Sequence, residues 1–231
     1  MKRLILLTAI VCLVMAGHAI ASPTPGYQAS MGWNRGDDGT TWQEWDFLTN
    51  GNPAAPENSS NPYGNPTVSL YEVPVPGDPA VSFGWHNECL GRTGVWAGDA
   101  VYADILIPNT ELTGGSKKVW MEVGFAAVTT EGGTPSIEAY IADGFSGSFE
   151  YELLAPVTYA AAGINWYTMT VGWLITPNPQ SEMITIGFAG TGGYIDYVSV
   201  DTRCAVPVPG AIILGGIGVG LVGWFRRKKN L

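Results

Sequence analysis

Between residues 118 and 127 the chain alternates strictly, with Val119, Met121, Val123, Phe125 and Ala127 on one side and Lys118, Trp120 and Glu122 on the other. A period of two belongs to an extended strand with one dry and one wetter face, whereas a helix repeats its apolar positions every three to four residues. The pattern returns at Ile137, Ala139 and Ile141 against Glu138 and Tyr140. Clusters of Gly, Pro and Asn separate the alternating runs, and no amphipathic helix interrupts them. Strands are predicted near 41–47, 68–73, 81–86, 93–97, 100–107, 118–128, 136–142, 149–154, 166–175, 183–189 and 194–200. The proline-rich stretch 50–66 is predicted to be a long irregular loop. Short strands with one buried and one partly wet face imply an all-β domain, a jelly-roll-like antiparallel β-sandwich.

The two ends obey a different pattern. Lys2 and Arg3 precede an apolar run from Leu4 to Met15, and Ala19-Ile20-Ala21 offers small residues before Ser22, so residues 1–21 read as a secretory signal peptide. At the other end, Val206-Pro207-Val208-Pro209 leads into an uncharged, glycine-rich run that ends at Phe225 and is followed by Arg226, Arg227, Lys228 and Lys229. At 1.5 Å per helical residue, 206–225 just spans a hydrocarbon core of about 30 Å. The four cations are expected to stay cytoplasmic, leaving residues 22–205 on the far side of the membrane. Gly218, Gly220 and Gly223 match a dinucleotide-binding pattern, but no strand precedes them and no acidic residue follows, so the match is accidental.

Signal peptide, proline motif, span and basic stop occur in the order found in the PEP-CTERM family of exported bacterial proteins, which this tail resembles over residues 206–229. The resemblance implies handling at the inner membrane by an exosortase-type processing enzyme and display at the cell surface or in the extracellular matrix. Pro207-Val208-Pro209 stands where the family carries Pro-Glu-Pro.

Six of the 11 basic residues lie in the two ends, so residues 22–205 hold 5 cations against all 20 carboxylates, a net charge of −15. A phosphate backbone would be repelled, which excludes nucleic acid as a partner. Cys12 leaves with the signal peptide. Cys89 and Cys204 then remain in an oxidising compartment and are expected to pair, closing a loop of about 115 residues that contributes about 4–5 kcal/mol in the chain-entropy description. Two separate buried thiols are the alternative.

In Tyr194-Ile195-Asp196-Tyr197-Val198-Ser199-Val200, Asp196 shares the parity of Val198 and Val200 and is expected to point with the apolar side, where it needs a partner. This run resembles the closing strand of galactose-binding-like jelly rolls and of the carbohydrate-binding modules built on them. The resemblance implies that Asp196 bonds backbone amides or helps to hold a structural calcium with Asp37 and Asp38; a plain Asp-Asp-Gly turn is the alternative. No other cofactor is expected.

Enzyme chemistry finds little footing. After export His86 is the only histidine, which excludes a multi-histidine zinc site, and there is no G-x-S-x-G elbow. Glu44 and Asp46, on one strand face beside Trp42, are the carboxylate pair that a secreted glycoside hydrolase would use. Outward aromatics are the stronger signal. Trp42, Trp120 and Tyr140 have wet-face parity, and flat rings beside carboxylates stack on sugars. The sequence therefore predicts an exported, non-catalytic surface or matrix protein that binds extracellular polysaccharide, with a glycosidase or a purely structural matrix protein as alternatives.

Overall fold

The computed structural model describes residues 31–73, 83–110, 115–127, 136–141, 148–159, 164–189 and 192–205. The signal peptide and the whole sorting tail, including Pro207, Pro209 and the basic stop, lie outside the described residues. In chain order the strands are β1 (Thr40–Trp45), β2 (Asn58–Ser60), β3 (Thr67–Glu72), β4 (Gly84–Cys89), β5 (Arg92–Gly98), β6 (Val101–Pro108), β7 (Ser116–Ala127), β8 (Ser136–Ile141), β9 (Ser148–Tyr159), β10 (Ile164–Ile175), β11 (Ser181–Ala189) and β12 (Gly193–Ala205). Every pairing is antiparallel. The larger sheet runs β2-β1-β12-β7-β10-β9, with β5 sharing the β1 edge of β12 and β4 pairing β5. The smaller sheet runs β3-β6-β11-β8.

The inner faces of both sheets feed one apolar cluster. Val119, Met121, Val123 and Phe125 of β7 meet Ile105 and Ile107 of β6 and Ile184 and Ile186 of β11, all fully buried. Alternation in sequence thus became burial, as the period of two requires. The predicted strands have observed counterparts, with β4 displaced toward its C-terminal side. The stretch 50–66 contains β2, which pairs β1 through Trp42↔Ser60 and Glu44↔Asn58. Three wholly exposed residues, Asn-Ser-Ser, carry no apolar alternation to announce such an edge strand.

Two expectations are corrected. Cys89 and Cys204 are free thiols. Cys89 faces Arg92 across the β4–β5 hairpin, and Arg92 reaches Asp196, whereas Cys204 lies farther along β12 by roughly 27 Å at an extended strand's rise per residue. A disulfide needs Cα atoms within about 7 Å.

The second correction concerns Asp196. Ile195 pairs Phe125 and Tyr197 pairs Gly124, so Asp196 is the extra residue of a β-bulge. Ile195 and Val198 consequently both enter the core, while Asp196 leaves it and lies over Gly124 on the outer face. An alanine Cβ at 124 would collide with Asp196 Oδ1.

The bulge and the strand order also bear on the expected calcium ligands. Asp37 closes the turn before β1, accepting from the Asn34 amide at 2.9 Å, at the Cys204 end of β12. Asp196 sits toward the other end. Among the described residues no group of three potential metal ligands assembles.

Candidate functional site

The outer face of the larger sheet is built from rows of side chains set by strand register. One row reads Ser60, Trp42, Asp201, Trp120 and Gly172 across β2, β1, β12, β7 and β10. On one side of it lies the row Glu44, Ser199, Glu122 and Thr170; on the other lies Thr40, Arg203, Lys118 and Leu174. The sheet thus carries an aromatic stripe between an acidic stripe and a cationic one.

Trp42 and Trp120 are therefore brought to one face, two strands or about 10 Å apart. Tyr140 is not: β8 belongs to the smaller sheet, where Tyr140 pairs Thr185. Its side chain, like those of Ile137, Glu138, Ala139 and Ile141, lies outside the described residues. The division between sheets depends on strand pairing, which parity along a single strand does not encode.

Residues 31–38 fold back over this face and occupy both tryptophans. The Arg35 guanidinium stands 4.7 Å from the Trp42 ring centroid. Its Nε and Nη2 donate to the two carboxylate oxygens of Asp201 at 2.7 Å each, Nη2 also donates to Ser199 Oγ at 2.9 Å, and Nη1 reaches Glu44. Burial works against the Arg35 charge, but the hydrogen bonds and charges of Asp201 and Glu44 outweigh it and raise its pKa. Such a fork holding two carboxylates is geometry that lysine would not reproduce. Met31 and Trp33 pack against Trp120, whose ring lies over Gly172. Arg35 and Asp201 were not singled out in the sequence; only the register joining β1 to β12 brings them together.

A second cluster forms where the edge of β12 passes from β1 to β5. The chain leaves β1 through Asp46 and Phe47, the latter at φ 50°, and the Glu57 carboxylate accepts from the Asp46 and Leu48 amides at 2.9 Å each. Asp196 meets Arg92 at 3.2 Å. Burial, followed by the charges of Glu57, Glu44 and Asp196, pushes the Asp46 carboxyl up to about 7. Burial also lifts Asp196, against the pull of Arg92, to about 6. Tyr197 beside them is raised by burial and by the Glu122 charge, with its Ser199 hydrogen bond opposing.

These carboxyls titrate above their ordinary value, so the folded protein holds protons that the unfolded chain releases. The resulting stability is present in full below about pH 4 and is lost as pH rises through 6 to 7. Asp46→Asn removes one of the two protons from this account. The variant is expected to exceed the parent in stability at pH 8 by an amount on the order of 3 kcal/mol, with the difference closing toward pH 4. Melting curves of both proteins from pH 4 to 8 measure this, and a gap independent of pH would refute the assignment.

A raised carboxyl near an ionised one can serve acid–base chemistry. Here Asp46 is only 5% exposed and Glu44 is held by Arg35.

A cleft opens at the cationic stripe. It encloses about 630 Å³ and is lined by Trp33, Asp38, Lys118 and Arg203, with Gly32, Ser116 and Cys204 completing the wall. Lys118 and Arg203 are both exposed and directly opposite in the β7–β12 ladder. No protein-family model matches the chain, and no curated protein matches it.

Proposed function

We propose that the chain is an exported, non-catalytic protein of the bacterial cell surface or extracellular matrix, sorted through its PEP-CTERM-like tail and binding glycans with a jelly-roll-like sandwich. The observation that carries the binding role is the row of Trp42 and Trp120 adjoining an open cleft of about 630 Å³ with Trp33 in its wall. Indole rings offer flat apolar contact to sugar faces, and a cleft this size accommodates a few sugar units. Because Arg35 covers Trp42 while Met31 and Trp33 lean on Trp120, the cleft beside the stripe receives the ligand and the stripe serves as its supporting wall.

The tail supplies the address. Pro207 and Pro209 stand just before the apolar run, and proline is poorly tolerated inside a helix, so this is the point at which a processing enzyme embedded in the bilayer is proposed to act. Mass spectrometry of the C-terminus after fractionation of the host tests this arm. The expected product ends near residue 206, and recovery of the intact chain to Leu231 only in the inner membrane overturns sorting by cleavage.

A glycan panel tests the binding arm. The full chain is expected to retain at least one polysaccharide, and Trp33→Ala to weaken retention about tenfold, the loss that follows from removing one aromatic and polar contact in a sugar site. Silence across the panel removes the binding role and leaves a purely structural matrix protein.

A further inference from the structure

The cationic end of the cleft has its own chemistry. The exported stretch 22–205 contains five cations, Arg35, Arg92, Lys117, Lys118 and Arg203. Arg35 is paired with Asp201 and Glu44, Arg92 with Asp196, and Lys117 with Glu182. Lys118 and Arg203 make no ion pair among the described residues. They stand opposite each other on neighbouring strands, an arrangement of like charges that costs stability unless something neutral or negative lies between them.

A second observation points to the same spot. Trp33 is 6% exposed and its indole N–H finds no acceptor among the described residues, yet the residue lines the cleft with Lys118 and Arg203. A buried donor left without a partner is unfavourable. Two cationic donors of different kinds, a planar fork and a point charge, therefore border one open space with the Trp33 side chain in its wall.

Asp38 sets the charge of the ligand. It borders the same cleft and offsets one of the two cations, leaving a local net charge of +1 inside a domain of −15. That balance fits one carboxylate per unit and disfavours doubly charged phosphate groups. The Asp38 carboxylate is an acceptor for hydroxyl groups. From these features we infer that the cleft selects a uronic acid unit of an acidic polysaccharide, with the sugar carboxylate held between Lys118 and Arg203. Trp33 forms part of the wall against which the sugar rests, and Asp38 accepts from a hydroxyl. This inference rests on the glycan-binding reading and specifies its ligand.

The test uses the full chain in detergent solution with three probes: trigalacturonate, its fully methyl-esterified form, and inorganic phosphate. Trigalacturonate is expected to bind at least about tenfold more tightly than the ester, as loss of a charge-assisted contact implies. The double variant Lys118→Gln/Arg203→Gln is expected to bind both saccharides with the ester's affinity. Both substituted side chains are exposed, so an unchanged melting curve verifies the fold, and the acid-to-ester comparison needs no variant. Equal binding of acid and ester overturns the uronate assignment while glycan binding stands. Failure of both trisaccharides, together with an unresponsive neutral panel, overturns glycan binding as well. Binding of phosphate without either saccharide reduces the cleft to a simple anion site and overturns the sugar assignment.

Discussion

Replacing Glu182 by Gln is expected to lower the folding stability by about 3–5 kcal/mol, because the change strands a charge in the core. Lys117 comes from β7 of the larger sheet and Glu182 from β11 of the smaller one, and their side chains meet between the sheets with no exposure to solvent. Burial raises the Glu182 carboxyl, with Lys117 pulling in the opposite direction. The pair sits at the Cys204 end of the core, where the thiol donates to Asn109 Oδ1 at 3.3 Å and Asn178 Oδ1 accepts from the Asn109 amide at 2.6 Å. Loss of the carboxylate charge leaves an ammonium with no water to turn to. The double substitution Lys117→Met/Glu182→Leu should regain most of the loss, since an apolar pair of similar volume avoids both desolvation costs. Denaturant unfolding followed by tryptophan fluorescence measures each step. Additive losses in the double variant would show that the pair is not coupled.

Arg35→Ala is the second large effect, about 3 kcal/mol or more. Asp201 has a side chain 1% exposed, and Arg35 supplies both hydrogen bonds to its carboxylate that span the loop-to-sheet contact. Removing the fork leaves Asp201 and Glu44 beside each other on neighbouring rows without their shared cation. Arg35→Lys keeps the charge but not the bidentate geometry, so its loss should be intermediate. Thermal melts of the three proteins at pH 7 decide this. Equal stability of the parent and Arg35→Ala would mean that the guanidinium merely decorates the surface.

The two effects differ in how far the sequence announces them. The strand of Val119, Met121, Val123 and Phe125 was legible because one face is continuously apolar, and burial followed alternation residue by residue. Alternation did not reveal that Glu122, with outward parity, would be fully buried, since what covers a sheet's outer face is decided by segments distant in sequence. The bulge at Asp196 is equally silent. One added residue reverses the facing of everything before it, and no local composition marks the site. Lys117 lies next to Lys118 and looks like half of a solvated pair. The register makes one the core partner of Glu182 and the other a wall of the cleft. Trp42 and Trp120 had wet-face parity on their own strands, but long-range pairing alone brings them to one face and sets Trp33, Lys118 and Arg203 beside them. The acidic excess, by contrast, could be read directly, and it makes the Lys118–Arg203 couple, without an ion pair among the described residues, conspicuous.

The position of β12 bears on what the domain does under load. It is the final described strand before residue 206, yet it lies inside the larger sheet, hydrogen-bonded along one edge to β7 and along the other to β1 and β5. A pull at residue 206 that runs along the axis of this strand strains the ladders on both sides in shear, so that they must yield together. Had the exit strand been at a sheet edge and pulled sideways, its bonds would open one after another at much lower force. The Arg35 clasp on Asp201 and Ser199 adds a crosswise tie to the same strand. A domain held to its surroundings at its C-terminal end would thus resist detachment by flow or traction most strongly along the direction from which the force comes.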